Sequence, residues 1–123
     1  MRTVIESGLP EIGQRFSCAT KGGGMLFTAH GPVRQDGTIE TGDPEKQITL
    51  TFDNLATTLK AANSHSDNVL QVIVYLTDVN DVKLLDKIYQ QYFNYPYPNR
   101  STVIVDKLVV PGMKIEITVS ATA

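Results

Sequence analysis

Apolar residues recur at helical spacing most clearly in one stretch. Ile48, Phe52, Leu55, Leu59 and Ala62 follow one another at steps of four, three, four and three, a continuous stripe along one helix face. Ahead of it, Thr41-Gly42-Asp43-Pro44-Glu45 reads as a helix start. Asp43 caps free amides, Pro44 suits the first helical position, and Glu45 suits the positive end of the helix dipole. Asn63 is placed to close the helix in a left-handed conformation. A second helix is predicted over 80–93, with Leu85, Ile88 and Tyr92 as its stripe and Asp78 or Asn80 as its cap. Pro96 and Pro98 stop it and force an extended link.

The remaining apolar runs are short and read as strands. Three are predicted in the first third, at 4–5, 16–19 and 25–28, with Gly22-Gly23-Gly24 as the turn between the last two. Asp36-Gly37 marks another turn. Residues 69–76 are rich in β-branched side chains and apolar on both faces, as in a central strand. Strands are also predicted over 100–107 and 114–122. The last alternates strictly: Ile115, Ile117, Val119 and Ala121 on one face, Lys114, Glu116, Thr118 and Ser120 on the other. Three strands, helix, strand, helix and two strands predict an α+β fold, a mixed sheet with both helices on one face. The other face is expected to mix Glu116, Thr118 and Ser120 with apolar Val72, Val74, Val103 and Val105. Such a mixture suggests burial against another subunit.

Length and composition narrow the function. At 123 residues the chain is expected to be one domain, 1–123, large enough to hold a core without disulfides or metals. Eleven Lys and Arg against thirteen Asp and Glu give a net charge of −2, which excludes a general basic footprint for nucleic acid. No apolar run approaches the roughly 20 residues of a membrane helix, so no membrane partner is expected. The first residues, Met1 to Gly8, lack the apolar stretch of a signal peptide. A cytoplasmic protein is the expectation. Cys18 is alone, so no internal disulfide forms, and it reads as a small buried hydrophobe. His30 and His65 are the two histidines, too few for a His-rich metal site, and His65 reads as a solvated turn residue. Phosphate loops, dinucleotide-binding glycine patterns and paired cysteines are absent from the sequence.

Two residues remain with chemistry to offer, Arg100 and Glu116. If the 108–113 link makes a hairpin of the last two strands, with even positions facing even positions, then Arg100, Thr102 and Glu116 share one face. A guanidinium binds a carboxylate through two parallel hydrogen bonds, and a nearby carboxylate takes a proton from water. The bland alternative is an Arg–Glu ion pair at an interface.

Several stretches together resemble the Rid/YjgF family, in order and spacing, over nearly the whole chain. They are Thr51-Phe52-Asp53-Asn54-Leu55, the strand from Val72 to Asp78, Tyr89 to Phe93, Pro98-Asn99-Arg100-Ser101-Thr102-Val103, and Lys114-Ile115-Glu116-Ile117 running to Ala121. The first forty residues match less well. The resemblance implies a chorismate-mutase-like fold, a homotrimer with a barrel-like assembly, and clefts between neighbouring subunits. It implies hydrolysis of 2-imino acids, or their enamine tautomers, to 2-oxo acids and ammonia, driven by water with no cofactor. Arg100 would hold the substrate carboxylate and Glu116 would activate water. Thr102 stands where family deaminases commonly carry cysteine.

Other positions depart from the family pattern. Gly13-Gln14-Arg15-Phe16-Ser17 replaces a Gly-Pro-Tyr-Ser segment, so Phe16 supplies an aromatic wall without a hydroxyl. Thr28-Ala29-His30-Gly31-Pro32 replaces a run ending in Ser-Gly-Gln. Ala29 thus lacks a serine hydroxyl that Thr28 or His30 would have to supply, and Gly31 offers backbone. Asp86 replaces a common asparagine and would repel an anionic substrate if it faced the cleft. The competing readings are a small-carboxylate-binding protein with little chemistry, a deaminase of a larger aminomuconate-like enamine, and the ribonuclease or translation-inhibitor role attached to the family by name. The net charge of −2 argues against the last.

Overall fold

The computed structural model describes residues 1–10 and 15–123. Gly13 and Gln14 of the altered amino-terminal segment lie outside the described residues. The elements in chain order are β1 (Thr3–Val4), β2 (Ala19–Gly22), β3 (Met25–His30), α1 (Pro44–Ala61), β4 (Val69–Leu76), α2 (Val82–Tyr89), β5 (Asn99–Ile104) and β6 (Ile115–Thr122). The strands form one mixed sheet in the order β1-β2-β3-β6-β4-β5, antiparallel throughout except for the β4–β5 pair.

α1 begins and ends where its caps predict. Asp43 Oδ1 accepts from the Glu45 amide at 2.8 Å, and Asn63 takes φ 56° just past the end. The predicted strand at 16–19 starts later, at Ala19. Gly22 then closes β2 opposite Met25, leaving Gly23 (φ 59°) and Gly24 (φ 78°) as a two-residue turn of the kind that needs positive φ at both positions. The second helix is shorter than its periodicity. A 3-10 turn (Val79–Asp81), capped by Asp78, leads into α2. Beyond Tyr89 the backbone tightens: the Gln91 and Tyr92 amides donate three residues back, to Ile88 and Tyr89. The aromatic stripe continues regardless, with Tyr89, Tyr92 and Phe93 clustered on Phe52.

The core lies between the helices and one face of the sheet. Ile48, Phe52, Leu55 and Leu59 of α1 and Leu85 and Ile88 of α2 meet Leu26, Val72, Val74, Leu76, Ile115, Ile117 and Val119 in one cluster. Val72 and Val74 are fully buried on this side, not on the opposite face where the sequence reading put them. The opposite face carries Phe27, Ala29, Ile73, Tyr75, Val103, Glu116, Thr118 and Ser120, as the ladder register dictates. No described helix is long and apolar enough to cross a membrane.

The expected hairpin between the last two strands does not form. β5 pairs with β4, parallel, in the register Val72↔Arg100 and Val74↔Thr102, while β6 lies on the other side of β4. The β4–α2–β5 unit is a strand–helix–strand crossover, which places parallel strands side by side.

Candidate active site

Arg100 and Thr102 share the helix side of the sheet with Val72 and Val74. Glu116 sits opposite Tyr75, on the open side. Two strand spacings and three residues of stagger put the Arg100 and Glu116 Cα atoms about 14 Å apart. Within one chain the structure therefore separates the two residues that sequence reasoning placed on one face.

Arg100 stands at the sheet edge over α2. Its Nε donates to Thr102 Oγ1 at 3.0 Å, and an Nη2 proton goes to Asp86 Oδ1 at 2.6 Å. Its guanidinium carbon lies 4.7 Å from the centre of the Tyr89 ring. Three different contacts thus fix the plane of one cation. Asp86, expected to repel an anion, is the guanidinium's own partner. Asp86, Tyr89, Gln90, Tyr97, Pro98 and Arg100 line a cleft of about 370 Å³, within the usual range for small-molecule sites. Burial pushes the Tyr89 phenol up to about 12, with Arg100 opposing the rise, so the ring is neutral beneath the charge. The Tyr89 hydroxyl is buried without a hydrogen-bond partner.

Glu116 is half-buried among Tyr75, Thr118 and the end of β3. Burial raises its pKa above the usual carboxylate value. A carboxylate so placed is a stronger base than one in open water. Ala29 faces the same side, next to Thr118. Gly31 follows β3, and a Cβ there would stand 2.6 Å from the Met113 methyl, the far end of a flexible side chain that has to swing aside to admit it.

His30 and Thr28 do not stand in for the missing serine hydroxyl beside Ala29. Both are buried on the helix side. The Thr28 hydroxyl gives its one proton to the Cys18 carbonyl at 2.8 Å, and so accepts from His30 Nε2–H at 2.7 Å. Burial lowers the His30 pKa to about 4, which keeps the ring neutral. Phe16 is exposed, ahead of β2, and not part of the core. Cys18 is half-buried rather than sealed in. His65 is exposed, as expected, and its Nδ1 accepts from the Asp67 amide at 3.1 Å.

Sequence reasoning missed what holds the loops. Gln47, Thr51, Asn54 and Thr58 form a second stripe on α1, one residue ahead of the apolar one, and all four are buried. Gln47 Nε2 donates to the Gly112 carbonyl at 3.0 Å, and Gln47 Oε1 accepts from the Lys114 amide at 2.8 Å. Asn54 Nδ2 donates to the carbonyls of Gly31 at 3.1 Å and Val33 at 2.9 Å. Two amides thus pin the loops on either side of Glu116. The signal was the repeat of polar residues at steps of four, three and four beside an apolar stripe.

Comparison with known proteins agrees with this fold. The family model described as Endoribonuclease L-PSP matches residues 9–123. Protein mmf2, mitochondrial, of Schizosaccharomyces pombe is 32% identical over 118 residues, 94% of each chain. The 2-iminobutanoate/2-iminopropanoate deaminase of Homo sapiens is 33% identical over 81 residues, 66% of this chain and 58% of that one. The crystal structure of the Rid family protein YyfA from Yersinia pestis gives a TM-score of 0.93 at 29% identity, covering all of both chains. That of E. coli TdcF with bound serine gives 0.88 at 28% identity, covering 98% of each. Sheet order, helix placement and a family match that runs to the last residue lead to one assignment: the chain belongs to the Rid/YjgF family.

Proposed function

We propose that this protein is an imine/enamine deaminase, converting 2-imino acids and water to 2-oxo acids and ammonia. The observation that carries the proposal is the oriented guanidinium of Arg100 in its cleft, in a chain whose relatives include a named 2-imino acid deaminase. TdcF, similar throughout, has been crystallised with serine, a ligand bearing the same α-carboxylate.

Arg100 would take the substrate carboxylate through its Nη groups. Glu116 would accept a proton from water as the water oxygen bonds to the imine carbon and the C=N electron pair moves to nitrogen. Returning that proton to nitrogen gives the carbinolamine; Glu116 would then carry the hydroxyl proton to the amine, and the C–N bond breaks as the C=O bond forms, releasing ammonia. Arg100 and Glu116 lie on opposite faces of one sheet, so a cleft that uses both is completed between chains. We therefore place the site at the subunit boundaries of a homotrimer. The open face supports this reading, with exposed Phe27 and Val103 beside half-buried Thr118 and Ser120.

A coupled assay tests it. An amino acid oxidase generates imines from several amino acids, and their loss is followed with and without the protein. The wild type should accelerate the loss, and Glu116→Gln should slow turnover by about 10²-fold, the lower end of the range for a general base acting on an already electrophilic carbon. Arg100→Lys should raise KM about tenfold, the scale of one charge-assisted hydrogen bond. Light scattering should give the mass of three chains. A wild type that leaves every imine untouched, while still binding carboxylates through Arg100, would make this a binding protein instead.

A further inference from the structure

We propose that Asp86 makes the Arg100 cleft selective for zwitterions: small ligands with a carboxylate and a cationic nitrogen on adjacent carbons, such as an α-amino acid or a protonated 2-imino acid. The inference rests on reading Arg100 as the carboxylate anchor, and it assigns Asp86 the other half of the ligand.

The two charges are already matched inside the chain. Arg100 spends Nε on Thr102 and one Nη2 proton on Asp86 Oδ1. Among the described residues, Arg100 Nη1 and Asp86 Oδ2 make no hydrogen bond, and Asp86 is half-exposed at the cleft. The cleft therefore offers three unused N–H donors, two on Nη1 and one on Nη2, beside one unused carboxylate oxygen, at the spacing of a direct ion pair. Tyr89 beneath them is neutral, so the lining has no net charge from this group of residues.

A plain carboxylate arriving at Arg100 brings a second anion next to Asp86. Like charges at contact distance in a partly desolvated cleft oppose binding. A zwitterion brings its own cation to Asp86 Oδ2 while its carboxylate meets Nη1, so every charge has an opposite neighbour. The preference has a chemical consequence for the proposed reaction. Hydrolysis removes the nitrogen as ammonia, and the 2-oxo acid left behind has nothing to offer Asp86. The residue thus favours the nitrogen-bearing reactant over its own product. Asp86 is here a specificity-determining residue, not a catalytic one.

Three ligands of equal carbon count separate the charges: L-alanine carries both, while pyruvate and propanoate carry the carboxylate alone. Each is titrated calorimetrically against the assembled wild type, Asp86→Asn and Arg100→Lys, with melting curves recorded for each variant. Wild type should bind L-alanine at least about tenfold more tightly than pyruvate or propanoate, the scale of one charge-assisted contact. Asp86→Asn should weaken L-alanine, tighten the other two, and bring the three to within about twofold, since an amide neither attracts the ammonium nor repels the carboxylate. Arg100→Lys should weaken all three. An unchanged preference in Asp86→Asn overturns the proposal. Equal wild-type affinities that all fall in Arg100→Lys overturn it too, but leave the carboxylate anchor standing. Affinities indifferent to Arg100, or no binding of any ligand, remove the anchor and the selectivity together.

Discussion

Consecutive residues of β6 meet two different environments. Ile115, Ile117, Val119 and Ala121 are at most 3% exposed against the helices. Glu116, Thr118 and Ser120, one step along in each case, are half-buried on the open face. On the sealed side the demand is for shape and volume, and the buried amide of Gln47 and imidazole of His30 find their hydrogen bonds inside the chain. On the open side polar and apolar groups stand together, and Glu116 is partly desolvated with no ion pair among the described residues. The sealed face holds the fold, and the open face keeps its groups available.

That contrast is broken most directly by substituting neighbours. Ile117→Ala should cost about 2–5 kcal/mol in chemical denaturation, the transfer loss plus a cavity that packed neighbours cannot fill. Thr118→Ala, one residue on, should cost about 0.5 kcal/mol. Equal losses at the two positions would mean that both faces are cores.

The buried imidazole sharpens the same contrast through pH. The pKa of His30 falls from 6.5 in the unfolded chain to about 4 in the folded one, because burial disfavours its charged form. Between those values the unfolded state binds the proton and the folded state does not. Stability present above pH 6.5 is thus lost as the pH falls towards 4, by about 3 kcal/mol in all. His30→Gln should flatten that window in denaturation curves taken at several pH values. A window that stays as steep in the variant would assign the loss to other groups.

A smaller effect isolates the polar stripe of α1. Gln47→Met keeps the volume but leaves the Lys114 amide and the Gly112 carbonyl without their partner. The cost should be about 2 kcal/mol, and the Lys114 amide should exchange faster with solvent. Unchanged protection at Lys114 would show that the loop is held by its own packing.

The elements legible in the sequence are those whose signals are local. The Asp43-Pro44 start, the left-handed Asn63 and the alternation of β6 each depend on a few adjacent residues, and each stands where it was expected. Strand pairing is not local. The last two strands are consecutive in sequence, which suggested a hairpin, yet β4 lies between them. Two signals pointed the right way: a strand–helix–strand order makes parallel neighbours, and the predicted 108–113 link is already longer than the usual hairpin loop. The consequence for the site was large. Arg100 and Glu116 were found as residues, but the shared face was an artefact of the assumed pairing. Tyr89 beneath Arg100 went unread because its helical position marks it equally well as core, and it is in fact both.

The grip of α1 on its two loops has a consequence for how the site can change. Gln47 and Asn54 stand seven residues apart, about 10 Å along the helix, and they hold only main-chain atoms: the carbonyls of Gly31, Val33 and Gly112 and the amide of Lys114. Main-chain atoms are the same whatever residue carries them. Pro32, Val33 and Lys114 can therefore be exchanged without loosening the anchors, whereas Gly112, at φ 88° and hard against Thr41, is confined. New ligand preferences can then be written into the side chains around Glu116 while the backbone beneath them stays where the helix has tied it.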